Sequence, residues 1–160
     1  MARFLVDLKP ILGSATDARR TWVRRIGILM EDARKGNPAI LAAAAGSIGR
    51  EYTPTFRSAR DRIDRITAPK GALECHRTLS RWLDKLVQSG ELLIEVGSSG
   101  NVNRIREIQE LLAEGRARAV RFNEEYLRLI SNLGARVAEL SSRRRENALR
   151  PTCKPPTNPG

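Results

Sequence analysis

Aromatic residues, histidine and cysteine are all scarce in this chain of 160 residues. Aromatic side chains make up 4% of the residues, so the core must be built from aliphatic side chains. The two cysteines, Cys75 and Cys153, are too few for a disulfide scaffold or a four-cysteine zinc site. No run of roughly 20 uncharged apolar residues is present, which argues against a membrane-spanning helix. Residues 1–9 carry a charge every few positions and lack the apolar core of a signal peptide, so we expect a cytoplasmic protein.

A single histidine, His76, limits the chemistry that the chain can support. On a helix, Cys75 points about 100° away from His76, so the two cannot act as a Cys–His pair. A di-iron bundle would need Glu-x-x-His motifs, but Leu73 stands three residues before His76. We therefore expect no catalytic residues, no cofactor and no bound metal, and a structural role for His76 as a hydrogen-bonding residue at the rim of a bundle.

Apolar residues recur at spacings of three and four along nearly the whole chain, which predicts helices and no strands. Three breaks divide this pattern: Gly36-Asn37-Pro38, Thr67-Ala68-Pro69 and the loop signal at 97–101. The fold class expected is all-α, an antiparallel up-down four-helix bundle over residues 1–147. Residues 148–160 contain four prolines and are expected to form a basic, flexible tail.

The four predicted segments differ in length and regularity. Arg19 is the single polar interruption of the apolar row in the first segment, and Pro54 is expected to kink the second. The second segment should end near Ile66 and the third near Val96. The fourth, about 101–147, would be roughly 70 Å long at 1.5 Å per residue.

Three stretches give the chain a resemblance to a known group of proteins: Ala68 to His76, Trp82-Leu83, and Ala119 to Leu127. They resemble a family of small bacterial four-helix-bundle proteins, in which a proline turn leads into a helix with a seam histidine. The resemblance covers about residues 3–140. It implies the bundle fold with a long last helix, and it implies no activity, because that family has none assigned.

The unequal lengths of the segments predict a contact site. In an up-down bundle, the start of the first helix lies beside the end of the long fourth helix. Both are expected to extend past the shorter second and third helices and to pair there with one apolar flank uncovered. We therefore expect a protein partner, or a second copy of the chain, to bind this helix 1/helix 4 end. The residues proposed for that contact are Leu5, Leu8, Leu12, Leu133, Val137 and Leu140.

Basic residues support a second hypothesis, the binding of nucleic acid or of another anionic surface. The chain has 24 arginines against 5 lysines and a formal net charge of +11. The excess is concentrated at the two ends of the chain, which the bundle topology is expected to bring together. Stacking aromatics beside the basic residues are missing, so the protein-interaction hypothesis is preferred. The residues proposed for anion binding are Arg19, Arg20, Arg24, Arg25, Arg143, Arg144 and Arg145.

Overall fold

The apolar spacing is realised as four helices in a computed structural model, which describes residues 1–33 and 36–149 and side chains as far as Arg144. Short 3-10 turns precede the third and fourth helices, and the described residues contain no strand. The all-α prediction is confirmed, and the last helix is the longest, as expected. The helices are α1 (Ala2–Asp32), α2 (Pro38–Asp64), α3 (Leu73–Ser99) and α4 (Ile105–Leu149).

Local sequence explains where these helices begin and end. The side chain of Asn37 accepts a hydrogen bond of 2.8 Å from the amide of Ala39, and Pro38 occupies the first turn of α2, where its missing N–H is no loss. At the end of α3, Gly100 adopts φ = 71°, a left-handed conformation that glycine enters without steric cost. The predicted loop is wrong for residues 97–99, which are the last residues of α3. The predicted tail lies outside the described residues from position 150 onward.

Glycines bring α2 and α3 unusually close together. A Cβ added at Gly97 would lie 2.4 Å from Cα of Gly46, and one added at Gly49 would lie 2.7 Å from the carbonyl oxygen of Gly90. Such separations are far below a normal van der Waals contact, so the two backbones touch directly at these positions. Gly97 therefore continues the helix, because it is needed as a contact residue rather than as a turn.

Contacts between neighbouring helices run in opposite directions along the chain. Between α2 and α3, Gly46 contacts Gly97, Arg60 contacts Asp84 and Ile63 contacts His76, so residue numbers fall along α3 as they rise along α2. Between α3 and α4, Glu95 pairs with Arg104, Lys85 with Glu114 and Glu74 with Arg121, so residue numbers again fall along one helix as they rise along the other. From α1 to α2, Trp22 packs edge-on against Phe56 at 5.4 Å and Arg25 pairs with Glu51. Each neighbour in the series α1, α2, α3, α4 is thus antiparallel to the one before it.

The start of α1 packs against the rest of the bundle and does not extend past it. Phe4 is buried, and its ring lies 6.4 Å from that of His76. Met1 shares one cleft with Thr67 and Pro69 of the α2–α3 connection and another with Leu133 of α4. The expectation that α1 and α4 extend together is therefore wrong, since the α2–α3 connection covers the start of α1.

Only α4 continues beyond the bundle. All side chains described from residue 134 to residue 144 are exposed, whereas Leu133 is half-buried beside Met1. The last sixteen residues of the helix, 134–149, form an extension about 24 Å long at 1.5 Å per residue. Within the described residues, none of the helices has the length and apolar character needed to cross a membrane.

Candidate interaction surface on the fourth helix

The six residues predicted to bind a partner are not all at the surface. Leu8 is fully buried, so its assignment to an interface is corrected: it is a core residue. Leu5 and Leu12 are half-buried and pack against the same core. Val137 and Leu140 are 55% and 62% exposed. The surface that remains from this prediction therefore belongs to α4 and not to a pair of helices.

A second apolar row runs along the solvent side of α4. Its large members are Val120, Leu127, Ile130 and Val137, which are 53%, 63%, 43% and 55% exposed. Successive positions of this row, from 116 to 144, alternate between spacings of four and three residues, as in a coiled-coil seam. It is distinct from the row of Ile105, Ile108, Phe122 and Leu129, which is buried in the bundle. The helix is therefore apolar on two sides, of which the bundle uses one.

No charged residue interrupts this second row between its two ends. Arg116 and Arg144 occupy the row positions at either end. Between them lie seven exposed and uncharged positions, which we call the uncharged face: Val120, Asn123, Leu127, Ile130, Gly134, Val137 and Ser141. Along one border of this face lie three exposed residues at heptad spacing, the charged Glu124 and the uncharged Ser131 and Ala138. In a chain with 29% charged residues, a solvent-facing row of this length without a charge is typical of a contact surface.

The path of α1 explains why the uncharged face is open. Near the α3–α4 connection, Gln109 donates a hydrogen bond to the sulfur of Met30, so α1 lies over the side of α4 that bears Gln109. Positions 116, 123 and 130 follow on that side at intervals of seven residues. At its other end α1 meets Leu133, which lies about 120° around α4 from Gln109 at 100° per residue. α1 therefore crosses α4 obliquely and leaves the side that bears Leu127 and Ile130 to solvent.

Arginines of the predicted α1 cluster mostly have other roles within the fold. Arg25 pairs with Glu51 and lies 5.7 Å from the ring centre of Tyr52. The hydrogen bond to Glu51, more than any other factor, raises the pKa of Arg25, and the same bond lowers the pKa of Glu51. Arg20 lies 3.7 Å from Asp17, and Arg24 is exposed.

Arg19 has a different environment. It is half-buried, and burial together with the nearby positive charge of Arg116 lowers its pKa. Other half-buried arginines, such as Arg25, Arg60 and Arg104, each contact a carboxylate. Arg19, which interrupts the apolar row of α1, thus lies close to a second positive charge on α4.

The second predicted arginine group lies far from the first. Arg143 pairs with Glu139 at 2.6 Å, Arg144 is exposed, and the side chain of Arg145 lies outside the described residues. Because Arg19 is beside Arg116, which is 27 residues from Arg143 on one helix, the two groups are separated by about 40 Å. The expectation that the fold brings them together is therefore wrong, since Arg19 lies beside the first half of α4 whereas Arg143 lies near its end.

His76 and Cys75 both contribute to packing. Nε2 of His76 lies 3.0 Å from the carbonyl oxygen of Ile63, in the last turn of α2, in keeping with the hydrogen-bonding role predicted for this residue. Cys75 is buried on the adjacent side of α3, and burial is the main factor that raises the pKa of its thiol to about 11. Among the residues that the structure describes, no three His, Cys, Asp or Glu side chains are grouped so that they could hold a metal ion.

Sequence reasoning missed Val120 and Leu127 as surface residues. Ile130 was not predicted there either, and Val137 was predicted as part of a two-helix end rather than of a row on α4 alone. The sequence pattern that could have revealed the exposed row is a second set of uncharged, largely apolar positions. It has the same alternation of four and three as the buried row and is shifted from that row by one residue.

Comparison of the chain with protein-family models, with curated proteins and with solved structures gave no match. The resemblance to a family of bacterial bundle proteins therefore stays a prediction.

Proposed function

We propose that this protein is a non-enzymatic interaction module that binds a helical partner through the uncharged face of α4. The observation that carries the proposal is the row of four large apolar side chains between Arg116 and Arg144. Each is about half exposed, and no row position between the two arginines is charged. An apolar row at heptad spacing is the pattern by which one helix packs against another.

The energy available from this surface suits a weak contact. Full burial of a large aliphatic side chain contributes roughly 1.5–3 kcal/mol. Because Val120, Leu127, Ile130 and Val137 are already about half-buried, completing their burial would contribute about 3–6 kcal/mol in total. A partner with a comparable apolar row would double that gain, which is then comparable to the roughly 4–15 kcal/mol cost of association.

The extension of α4 supports the same conclusion. Side chains described from 134 onward are exposed, so tertiary packing does little to stabilise this part of the helix. In proteins most helical stability comes from the packing of an amphipathic side against other elements rather than from intrinsic propensity. A partner that covers Val137 and Leu140 would supply the missing stabilisation.

We propose no enzymatic role, because the two side chains best suited to catalysis already have roles in the fold. His76 hydrogen-bonds to the end of α2, and the thiol of Cys75 is buried with a raised pKa. Nucleic-acid binding through the arginines receives less support, because the two proposed groups are about 40 Å apart and several members pair with carboxylates.

Affinity capture from the native cell at low and high salt tests the proposal. The wild-type protein should retain a defined partner, or further copies of itself, at both salt concentrations, since apolar contacts are insensitive to salt whereas phosphate contacts weaken steeply. Leu127→Glu should lose this partner. Leu73→Glu is the matched control, because Leu73 is 56% exposed but lies at the start of α3.

Two results would contradict the proposal. One is a partner retained equally by the wild type and by Leu127→Glu, which would place the contact elsewhere. The other is retention of nucleic acid alone at low salt and of nothing at high salt, which would favour the arginine hypothesis.

A further inference from the structure

We infer that the partner is a second copy of this chain, paired through the uncharged face of α4 so that the two helices cross near Gly134. This inference rests on the proposed function and names the partner that the same surface selects.

Charge decides between a second copy and a different protein. Two chains that each carry a formal net charge of +11 repel one another, and this repulsion is smallest when the contact itself carries no charge. The uncharged face is such a surface, since its seven positions from Val120 to Ser141 carry no ionisable side chain. A foreign partner of opposite charge would be selected by basic side chains within the contact, and arginine stands only at its two ends, 116 and 144.

The position of Gly134 suits a symmetric crossing. A Cβ added at Gly134 would meet no atom within 4 Å, so the bundle itself does not require glycine there. Ser131 and Ala138 lie on the same side, and Ile130 and Val137 flank them with exposed apolar surface. Small residues allow two helix backbones to approach closely, and this chain already uses that arrangement between Gly46 and Gly97. In a twofold dimer the same patch meets itself, so Gly134 would face Gly134 of the other copy.

The arginines beside this patch do not oppose the pairing. Arg143 is bound to Glu139 of its own helix, and Arg136 is exposed on a different side of α4, about 160° from Gly134's row at 100° per residue. Both therefore stay in contact with water on the side of α4 away from the dimer contact, where like charges are screened.

Sedimentation equilibrium of the purified full-length protein over a wide concentration range tests the inference. The wild type should associate to a dimer, and the dissociation constant should not rise between about 50 and 500 mM salt, because apolar contacts are insensitive to salt and added salt screens the repulsion between the two net charges. Leu127→Glu and Ile130→Glu should each weaken the dimer at least tenfold with unchanged helical content in circular dichroism. Leu73→Glu should dimerise like the wild type.

Cross-linking tests the crossing point. In a Cys153→Ser background, Gly134→Cys should form a disulfide-linked dimer on mild oxidation, while Ala135→Cys, on the neighbouring side of the helix, should do so much more slowly. Cys75 does not interfere, because it is buried. A dimer that Leu127→Glu abolishes but that position 134 fails to cross-link would overturn the crossing at Gly134.

Different results would overturn self-pairing and the interaction module. A wild type that stays monomeric at all concentrations, yet captures another protein from the cell in a manner lost in Leu127→Glu, overturns self-pairing and leaves the interaction module intact. A monomer that captures nothing overturns both. A dimer that persists in Leu127→Glu and in Ile130→Glu overturns the uncharged face as the contact.

Discussion

Individual side chains in this protein show how the fold uses groups that elsewhere carry out chemistry. Cys75 packs in the core of the bundle, and His76, its neighbour in the chain, hydrogen-bonds to the carbonyl of Ile63. Because each of these groups is engaged within the fold, its properties should be visible in stability rather than in turnover.

The thiol of Cys75 should make stability depend on alkaline pH. Burial raises its pKa from 9.0 in the unfolded chain to about 11, so the folded state holds the proton more tightly. This contribution is complete below about pH 9 and is lost as the pH rises through about 11, since the unfolded thiol ionises first. The free energy of unfolding from urea titrations should therefore fall over this range by an amount of order 2 kcal/mol attributable to Cys75.

Lysine and tyrosine titrate in the same range, so the difference between the wild type and Cys75→Ala is the quantity to measure. Equal pH dependence in both proteins would show that Cys75 makes no contribution.

Arg19 should weaken the bundle in which it lies. Burial and Arg116 disfavour its charge, and its position in α1 continues the apolar row of Leu12 and Trp22. Arg19→Leu should therefore raise the free energy of unfolding by about 1 kcal/mol, through added apolar burial and the loss of a like charge. Arg20→Leu serves as the control, because Arg20 is exposed beside Asp17 and should show no gain. A lower unfolding temperature for Arg19→Leu would indicate that Arg19 makes favourable contacts instead.

Among the helices, the pair α2 and α3 is held at the shortest separation, and glycine sets that distance. Gly46, Gly49, Gly90 and Gly97 leave no room for a Cβ between the two backbones. The close approach also places Thr53 against Gly90, where the Thr53 hydroxyl donates a 2.6 Å hydrogen bond to the carbonyl of Gly49. A change at one glycine should therefore disturb the whole contact.

Gly97→Ala should destabilise the protein even though alanine favours helix by up to about 1 kcal/mol over glycine. The new Cβ would lie 2.4 Å from Cα of Gly46, so the helices must move apart, and we expect a net loss of about 1–3 kcal/mol in the free energy of unfolding. Gly13→Ala is the matched control, since its Cβ meets nothing within 4 Å and it should stabilise the helix slightly. If both variants gain stability in urea titrations, the two backbones are not in contact.

At the scale of the whole molecule, the fold separates the basic groups while it leaves an uncharged row open. The distance of about 40 Å between the α1 arginines and those at the end of α4 is several times the Debye length of about 10 Å at 0.1 M salt. The two groups should therefore act independently on any polyanion.

Binding of a short DNA duplex, measured by fluorescence anisotropy at about 50 and 200 mM salt, checks this independence. Arg20→Ala with Arg24→Ala, and Arg143→Ala with Arg144→Ala, should each weaken binding modestly. The four changes together should add within about 0.5 kcal/mol, as for distant sites. A loss much larger than the sum would mean that one duplex contacts both groups.

The sequence by itself determined the helical class, the four segments and most of their ends. Spacings of three and four define helices locally, Asn37-Pro38 begins α2 through a side-chain cap and a preset backbone angle, and Gly100 ends α3 in a left-handed conformation. A hydrogen-bonding role for His76 also followed from its position in the third segment, whereas its partner, the carbonyl of Ile63, is known only from the structure.

The tertiary structure alone decided which apolar row of α4 is buried. Both rows fit helical spacing, and the packing of α4 against the bundle, chiefly against α3, buries the row of Ile108 and Phe122 while Val120 and Leu127 stay in water. In the same way, Gly97 reads as a turn in the sequence and becomes a helix contact because Gly46 lies opposite. Periodicity records which side of a helix can be buried, whereas the crossing angles between helices determine which side is.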